Sequence, residues 1–380
     1  MSSFEPTPYR VEITEAEIDD LRVRLGNTRW PEAEPVDDWS QGIPLAYTQE
    51  LARWWADEYD MGLADRVNAF EQSKVDIDGL GIHFIHARSP EPTALPIVIT
   101  HGWPGSIVEL LDVIGPLSDP AAHGGDAADA FHVVAPSLPG YGWSDKPTEA
   151  GWGLDRIAAT WHQLMLGLGY DRYVAQGGDW GSGVTSVLGE LAPAELAAIH
   201  LNMPFAFPDP ETMDDLTPFE SEALADMMSH AESGMGYSSQ QSTRPQTLGY
   251  GLTDSPAGQL AWIVEKFWAW TDGGGHPEGA LTRQQMLDNV STYWFTATAA
   301  SSARLYWESF TRLQSPMQID VPTALTVFPK EIIRPSRRWA DKAYSNICWF
   351  EQADRGGHFA AFEQPEQFVD QVRGAFRQFR

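Results

Sequence analysis

An aspartate stands where a strand-to-helix turn would present a nucleophile. In Val174-Ala-Gln-Gly-Gly-Asp-Trp-Gly-Ser-Gly183 an apolar strand over 173–175 runs into glycines, and a helix-compatible segment begins near Val184. Small neighbours on both sides of Asp179 permit the sharp turn of a nucleophile elbow, which presents one side chain at the carboxyl edge of a sheet. A serine attacking a saturated carbon would leave a stable ether, whereas a carboxylate leaves an ester that water hydrolyses. Asp179 therefore points to alkyl-ester chemistry on an sp³ carbon.

Turnover of such an ester needs a base to activate water and an acid to hold the base. Arg355-Gly-Gly-His358 lies in a glycine-rich loop after the last apolar run, and Phe328-Pro-Lys-Glu331 sets a carboxylate just past the preceding one. In this reading Glu331 fixes the imidazole tautomer of His358 through one nitrogen and leaves the other free to deprotonate water. Asp354, Asp341 and Asp320 compete with Glu331 for that place. The chain order nucleophile, acid, histidine is that of α/β-hydrolase triads, in which two backbone amides form the oxyanion hole. One comes from the residue after the nucleophile, here Trp180, and one from the loop after an earlier strand, here Trp103 in His101-Gly-Trp-Pro-Gly-Ser106. Each such donor contributes about 3 kcal/mol to a tetrahedral intermediate. His101 is expected to brace that loop rather than move protons.

These side chains require strands that end at one edge. Thr14-Glu-Ala-Glu17 is a capping box for a helix through about Leu25, and an amphipathic segment follows over Thr48–Tyr59. Runs at 74–77 and 80–87 around Asp78-Gly79 predict a hairpin. Short apolar runs at 97–100 and 131–135, separated by a helix over 107–117, predict βαβ units and a mainly parallel sheet. From Phe205 to about Ala300 the chain is helical in period and rich in Trp, Tyr and Met, as in an insertion lying over the sheet's carboxyl edge. Strand signals return at 323–328 and 346–350, before a final helix over 366–379. Scattered tryptophans near the N-terminus (Trp30, Trp39, Trp54, Trp55) are expected to anchor a meandering segment on a larger body.

The 380 residues carry a formal charge of −28 with 43% apolar residues, enough for a large core and unfavourable for nucleic acid or anionic membranes. One cysteine, Cys348, excludes an intramolecular disulfide, and its run Ile347-Cys-Trp-Phe350 predicts a buried small hydrophobe. The first residues show no signal peptide, and no run of ~18 apolar residues occurs; the expectation is a cytoplasmic protein. His83 and His86, three apart on a strand, face opposite sides and make no metal pair, and no cofactor motif is present.

The chain resembles the epoxide hydrolases of the α/β-hydrolase superfamily, in the branch of the microsomal and juvenile-hormone enzymes. The motifs that carry the resemblance are Thr28-Arg-Trp-Pro31, His101-Gly-Trp-Pro104, Gly177-Gly-Asp-Trp-Gly181, Asp254-Ser-Pro-Ala-Gly258 with Trp262-Ile-Val-Glu-Lys-Phe267, and Arg355-Gly-Gly-His-Phe-Ala-Ala-Phe-Glu363. The resemblance implies an α/β-hydrolase fold with an N-terminal meander (1–90), a core in two parts (91–204 and 304–380) and a helical cap (205–303). It implies two cap tyrosines that donate to the epoxide oxygen, at Tyr237 in Gly236-Tyr237 and at Tyr306 in Arg304-Leu-Tyr-Trp307, with Tyr250, Tyr293 and Tyr141 as alternatives. Its reaction converts an epoxide and water to a diol without metal or organic cofactor, on a small hydrophobic epoxide. A member without the membrane anchor of the family is expected, and homo-oligomerisation stays open. The nearest alternative is a haloalkane dehalogenase, which uses the same aspartate but needs no tyrosine acid.

Overall fold

The computed structural model describes residues 4–380 apart from 314 and 316. Nine strands are found among the described residues: β1 (Thr7–Pro8), β2 (Gln72–Ile77), β3 (Leu80–Ala87), β4 (Leu95–Thr100), β5 (Phe131–Pro136), β6 (Tyr173–Gly177), β7 (Leu196–Leu201), β8 (Thr323–Val327) and β9 (Ile347–Gln352). They form one sheet in the order β1-β2-β3-β5-β4-β6-β7-β8-β9. The pairs from β1 to β5 through β3 are antiparallel, and those joining β5, β4, β6, β7, β8 and β9 are parallel. Helices cover both faces of the parallel part, so every residue of β6 and β8 is buried. The hairpin forms as its turn demands: Asp78 and Gly79 both take positive φ, 56° and 78°, and Ile77 pairs with Leu80.

Topology explains where a site can form. β4 lies between β5 and β6, so the chain leaves β4 for one neighbour and returns on the other side. A sheet opens a crevice outside its carboxyl ends at such a reversal. The Trp103 loop follows β4 and Asp179 follows β6, one on each side of that crevice.

Between β7 and β8 the described chain is helical. The helices Pro218–Ser229, Gly236–Thr243, Pro245–Asp254, Pro256–Trp270 and Arg283–Thr296 cover the carboxyl edge, and Ala299–Leu313 leads back toward β8. The last of these runs unbroken through 303/304 and carries Tyr306 buried at its middle. This is the mainly parallel α/β-hydrolase layout with a cap that the resemblance implies. The N-terminal meander joins both layers. Its β2 and β3 extend the sheet, while helix Leu45–Asp57 packs on helix Pro256–Trp270. Trp55 is fully buried and its indole N–H donates to Ser291 Oγ at 2.9 Å. Trp39 stacks on Trp268 with ring centroids 4.9 Å apart.

Three expectations change. The helix expected over 107–117 is a 3₁₀ turn, Ile107–Leu110, capped by Ser106, followed by an α-helix, Leu111–Ser118. The helix after the elbow begins at Asp179 itself rather than near Val184, because Gly181 and Gly183 beyond the aspartate are helical. Cys348 is half-buried, not buried: β9 is an edge strand, and its side chains lie at the sheet's margin. No helix among the described residues is long and apolar enough to cross a membrane.

Candidate active site

Asp179 takes φ 50° at the first position of helix Asp179–Leu191, directly after extended Gly178. A non-glycine residue in this left-handed region stores about 1–3 kcal/mol of strain and persists only where its surroundings fix it. The flanking glycines are what allow it here. A Cβ on Gly177 would stand 2.1 Å from the Gly181 carbonyl oxygen, and one on Gly181 2.0 Å from that of Thr100.

The Asp179 carboxylate is held at both oxygens. Oδ1 accepts from the Trp103 backbone N–H at 2.6 Å, and Oδ2 lies 3.2 Å from His358 Nε2. The Trp180 amide follows in the first helical turn, where N–H groups have no partner within the helix. On its other side His358 donates from Nδ1 to Glu331 Oε1 at 2.7 Å, and a carboxylate acceptor fixes that tautomer. Glu331 is fully buried and also accepts from the Ile332 N–H at 2.6 Å. Burial pushes the His358 pKa down, but the Glu331 and Asp179 carboxylates outweigh it and hold the ring well above its usual range. The imidazole thus lies between two carboxyl groups, one on each ring nitrogen.

The competing acids are engaged elsewhere: Asp354 with Gln367, Asp341 with Arg337 and Asp320 with Ser345. His101 is fully enclosed, and burial lowers its pKa to about 4. Its Nε2 accepts from the Leu138 N–H at 3.2 Å, which ties the loop after β4 to that after β5. His83 and His86 serve different neighbours, Gln72 and Ser137 for the first and Tyr170 for the second.

Of the five tyrosines considered, Tyr237 and Tyr306 line one cavity with Asp179, of about 290 Å³ and otherwise walled by apolar groups such as Met203, Phe205, Met227 and Phe310. Tyr141 donates to Ser302 O at 3.1 Å, Tyr293 to Gly105 O at 2.7 Å, and Tyr250 is 71% exposed. Trp103 and Trp180 seat the two phenols. Trp103 stacks on Tyr237 at 5.1 Å and Trp180 meets Tyr306 edge-on at 4.6 Å. Burial first, and the Asp179 charge as well, raise both phenol pKa values above the ordinary range. Both therefore stay protonated as donors.

A second cavity, of about 20 Å³, lies against Asp179 together with His358 and Glu109. Asp179 is thus the wall between an apolar chamber that holds the tyrosines and a smaller one that holds the histidine. Three neighbours of the site were missed from the sequence. Lys266, buried and paired with Glu265 at 2.8 Å, sits 4.6 Å from the Tyr237 ring centroid. Glu363 accepts from the Phe359 and Asp272 amides at 3.0 and 2.7 Å and braces the His358 loop. Glu109 is a charged residue within an apolar stretch, which is the signal that could have found it.

The chain is similar to known proteins over nearly its whole length. The family model described as "Epoxide hydrolase N terminus" matches residues 6–110, and that described as "alpha/beta hydrolase fold" matches 96–231. A Stigmatella aurantiaca protein, provisionally named an epoxide hydrolase, is 54% identical over 375 residues, covering 98% of this chain and 85% of its own. "Epoxide hydrolase 1" of Sus scrofa is 33% identical over 401 residues, covering 96% and 87%. The crystal structure of juvenile hormone epoxide hydrolase from the silkworm Bombyx mori superposes with a TM-score of 0.88 at 30% identity, covering 99% and 95%.

Proposed function

The chain belongs to the epoxide hydrolase family and is a hydrolase acting on ether bonds; from that premise we propose that Asp179 opens the epoxide as a nucleophile and that His358 drives hydrolysis of the resulting ester. The haloalkane dehalogenase alternative is not favoured, since the relatives carry epoxide hydrolase names. One observation carries the assignment: the tyrosines and the histidine face Asp179 from separate cavities.

In the apolar chamber Asp179 attacks a ring carbon, the C–O bond breaks, and Tyr237 and Tyr306 donate to the oxygen. A phenol is far more acidic than an alkoxide, so one proton moves downhill and leaves a tyrosinate. Ester formation erases the Asp179 charge. That charge is among the influences that keep both phenols and His358 protonated, so its loss eases ionisation of the phenol and lowers the imidazole pKa. His358 passes its Nε2 proton to solvent and becomes a base only when there is an ester to hydrolyse. A water gives its proton to Nε2 and its oxygen to Asp179 Cγ, with the Trp103 and Trp180 amides stabilising the oxyanion. The intermediate collapses, the diol oxygen takes that proton from His358, and the Asp179 carboxyl proton replaces the one lost by the tyrosine. As the Asp179 charge returns, His358 regains its own proton from solvent.

The apolar lining supports a small epoxide with hydrophobic substituents. A cytoplasmic location is part of the proposal, supported by the lone cysteine. So is the four-part division at 1–90, 91–204, 205–303 and 304–380, with helix Ala299–Leu313 running across the last boundary. The test is a single turnover in heavy-oxygen water. The label should enter the Asp179 carboxylate and reach the diol only on later turnovers; a first-turnover diol carrying the label overturns the ester mechanism.

A further inference from the structure

The small chamber holds a carboxyl that the mechanism has not used. Glu109 lies on the 3₁₀ turn after the Trp103 loop and lines the cavity with Asp179 and His358. Its residue keeps partial exposure, but the carboxyl end reaches inward to the Gly102 amide. The two glycines of His101-Gly-Trp-Pro-Gly105 make room for two carboxyls. A Cβ on Gly102 would stand 2.1 Å from Asp179 Oδ1, and one on Gly105 2.0 Å from Glu109 Oε2. The cavity's volume of about 20 Å³ is of the size one water needs, roughly 10–15 Å³. Gln176 and Asn202 also line it, but they bond each other at 2.8 Å.

We propose that Glu109 holds the water that hydrolyses the Asp179 ester, as its second hydrogen-bonding partner beside His358. This rests on the ester reading above. His358 Nε2 accepts one O–H of that water, and a lone acceptor leaves the molecule free to turn about that bond. The Glu109 carbonyl oxygen takes the second O–H, which aims an oxygen lone pair at Asp179 Cγ. In the step the O–H bond to His358 breaks, the O–Cγ bond forms, and the Cγ–O bond to the alkyl group then breaks; Glu109 keeps its own proton throughout. Burial, with the Asp179 charge adding to it, raises the Glu109 pKa to about 8 against the pull of His358. The carboxyl is therefore neutral at pH 7 and adds no negative charge beside the developing oxyanion. Asp179, His358 and Tyr293 are the titratable groups that face it.

The test measures ester formation and ester decay separately, by rapid quench and intact mass, in the full-length protein across pH 6–10. Glu109→Leu should slow decay by about 10²-fold, the cost of misplacing a reacting group by about 1 Å, and at least tenfold more than it slows formation, so ester accumulates. The native protein should show a fall in decay rate above pH 8, and Glu109→Gln, neutral and of the same shape, should lose it; a native profile without that fall also overturns the proposal. The proposal is overturned if Glu109→Leu slows both steps equally, if it slows neither, or if the alkaline fall persists in Glu109→Gln. Should Glu109→Leu fail to fold, the pH profile of Glu109→Gln decides alone. An absence of any ester in the native protein refutes the parent mechanism instead, which keeps the two failures apart.

Discussion

Replacing His358 with glutamine separates the two half-reactions. The imidazole touches Asp179 through Nε2 at 3.2 Å and Glu331 through Nδ1 at 2.7 Å, and glutamine keeps a polar group there without a titratable nitrogen. Ester hydrolysis then loses its general base, a loss of about 10²–10⁴ in rate, or about 3–5 kcal/mol on that barrier. Formation of the ester should change by less than about tenfold, since Asp179 keeps the Trp103 amide at 2.6 Å and the tyrosines are untouched. So kcat should collapse, KM should fall with it, and kcat/KM should stay near its native value. Intact mass spectrometry after mixing with an accepted epoxide should show nearly stoichiometric protein heavier by one substrate. If kcat and kcat/KM fall together and no adduct appears, His358 does not act after the ester and the assignment is wrong.

Other outcomes follow from the same contacts. Tyr306→Phe and Tyr237→Phe should each lower the rate of ester formation about 10²-fold, as removal of one donor to a developing oxyanion does. The double variant should lose far more, and a rapid-quench burst measures each. Glu331→Gln should leave the fold intact yet slow ester decay by about 10²-fold or more, because a neutral amide neither fixes the Nδ1–H tautomer nor supports the imidazolium; pre-steady-state decay of the ester reads it. Trp55→Ala should destabilise the protein by about 3–5 kcal/mol through the cavity it leaves between meander and cap, seen as a lower thermal midpoint.

The proposed triad is legible in the sequence because each member sits just past a strand that ends at the same edge, and the glycines beside Asp179 and His358 mark sharp turns. Strand signals of four to six residues are enough to order such ends. The roles of Tyr237 and Tyr306 were not legible from spacing: they sit on different helices, brought together by a cap whose packing no local pattern encodes. Only the resemblance pointed to them, and the structure adds the tryptophans that seat them. Glu109 was hidden for a different reason. It was read as part of a continuous helix, and only the 3₁₀ geometry with the notch at Gly105 shows where its carboxyl goes. β7 (Leu196–Leu201), alanine-rich and containing His200, carries no periodicity that separates strand from helix.

The wall that Asp179 forms between the two chambers splits the enzyme into a particular half and a general one. On the proposed mechanism, what tells one epoxide from its mirror image lies on the side of Met203, Phe205 and the phenols, and the other side handles the same aspartyl ester linkage and the same water whatever was bound. Substitutions in the apolar wall can therefore redirect stereochemical preference over generations without rebuilding the apparatus that regenerates the nucleophile. A laboratory search for new selectivity has its natural boundary at residue 179.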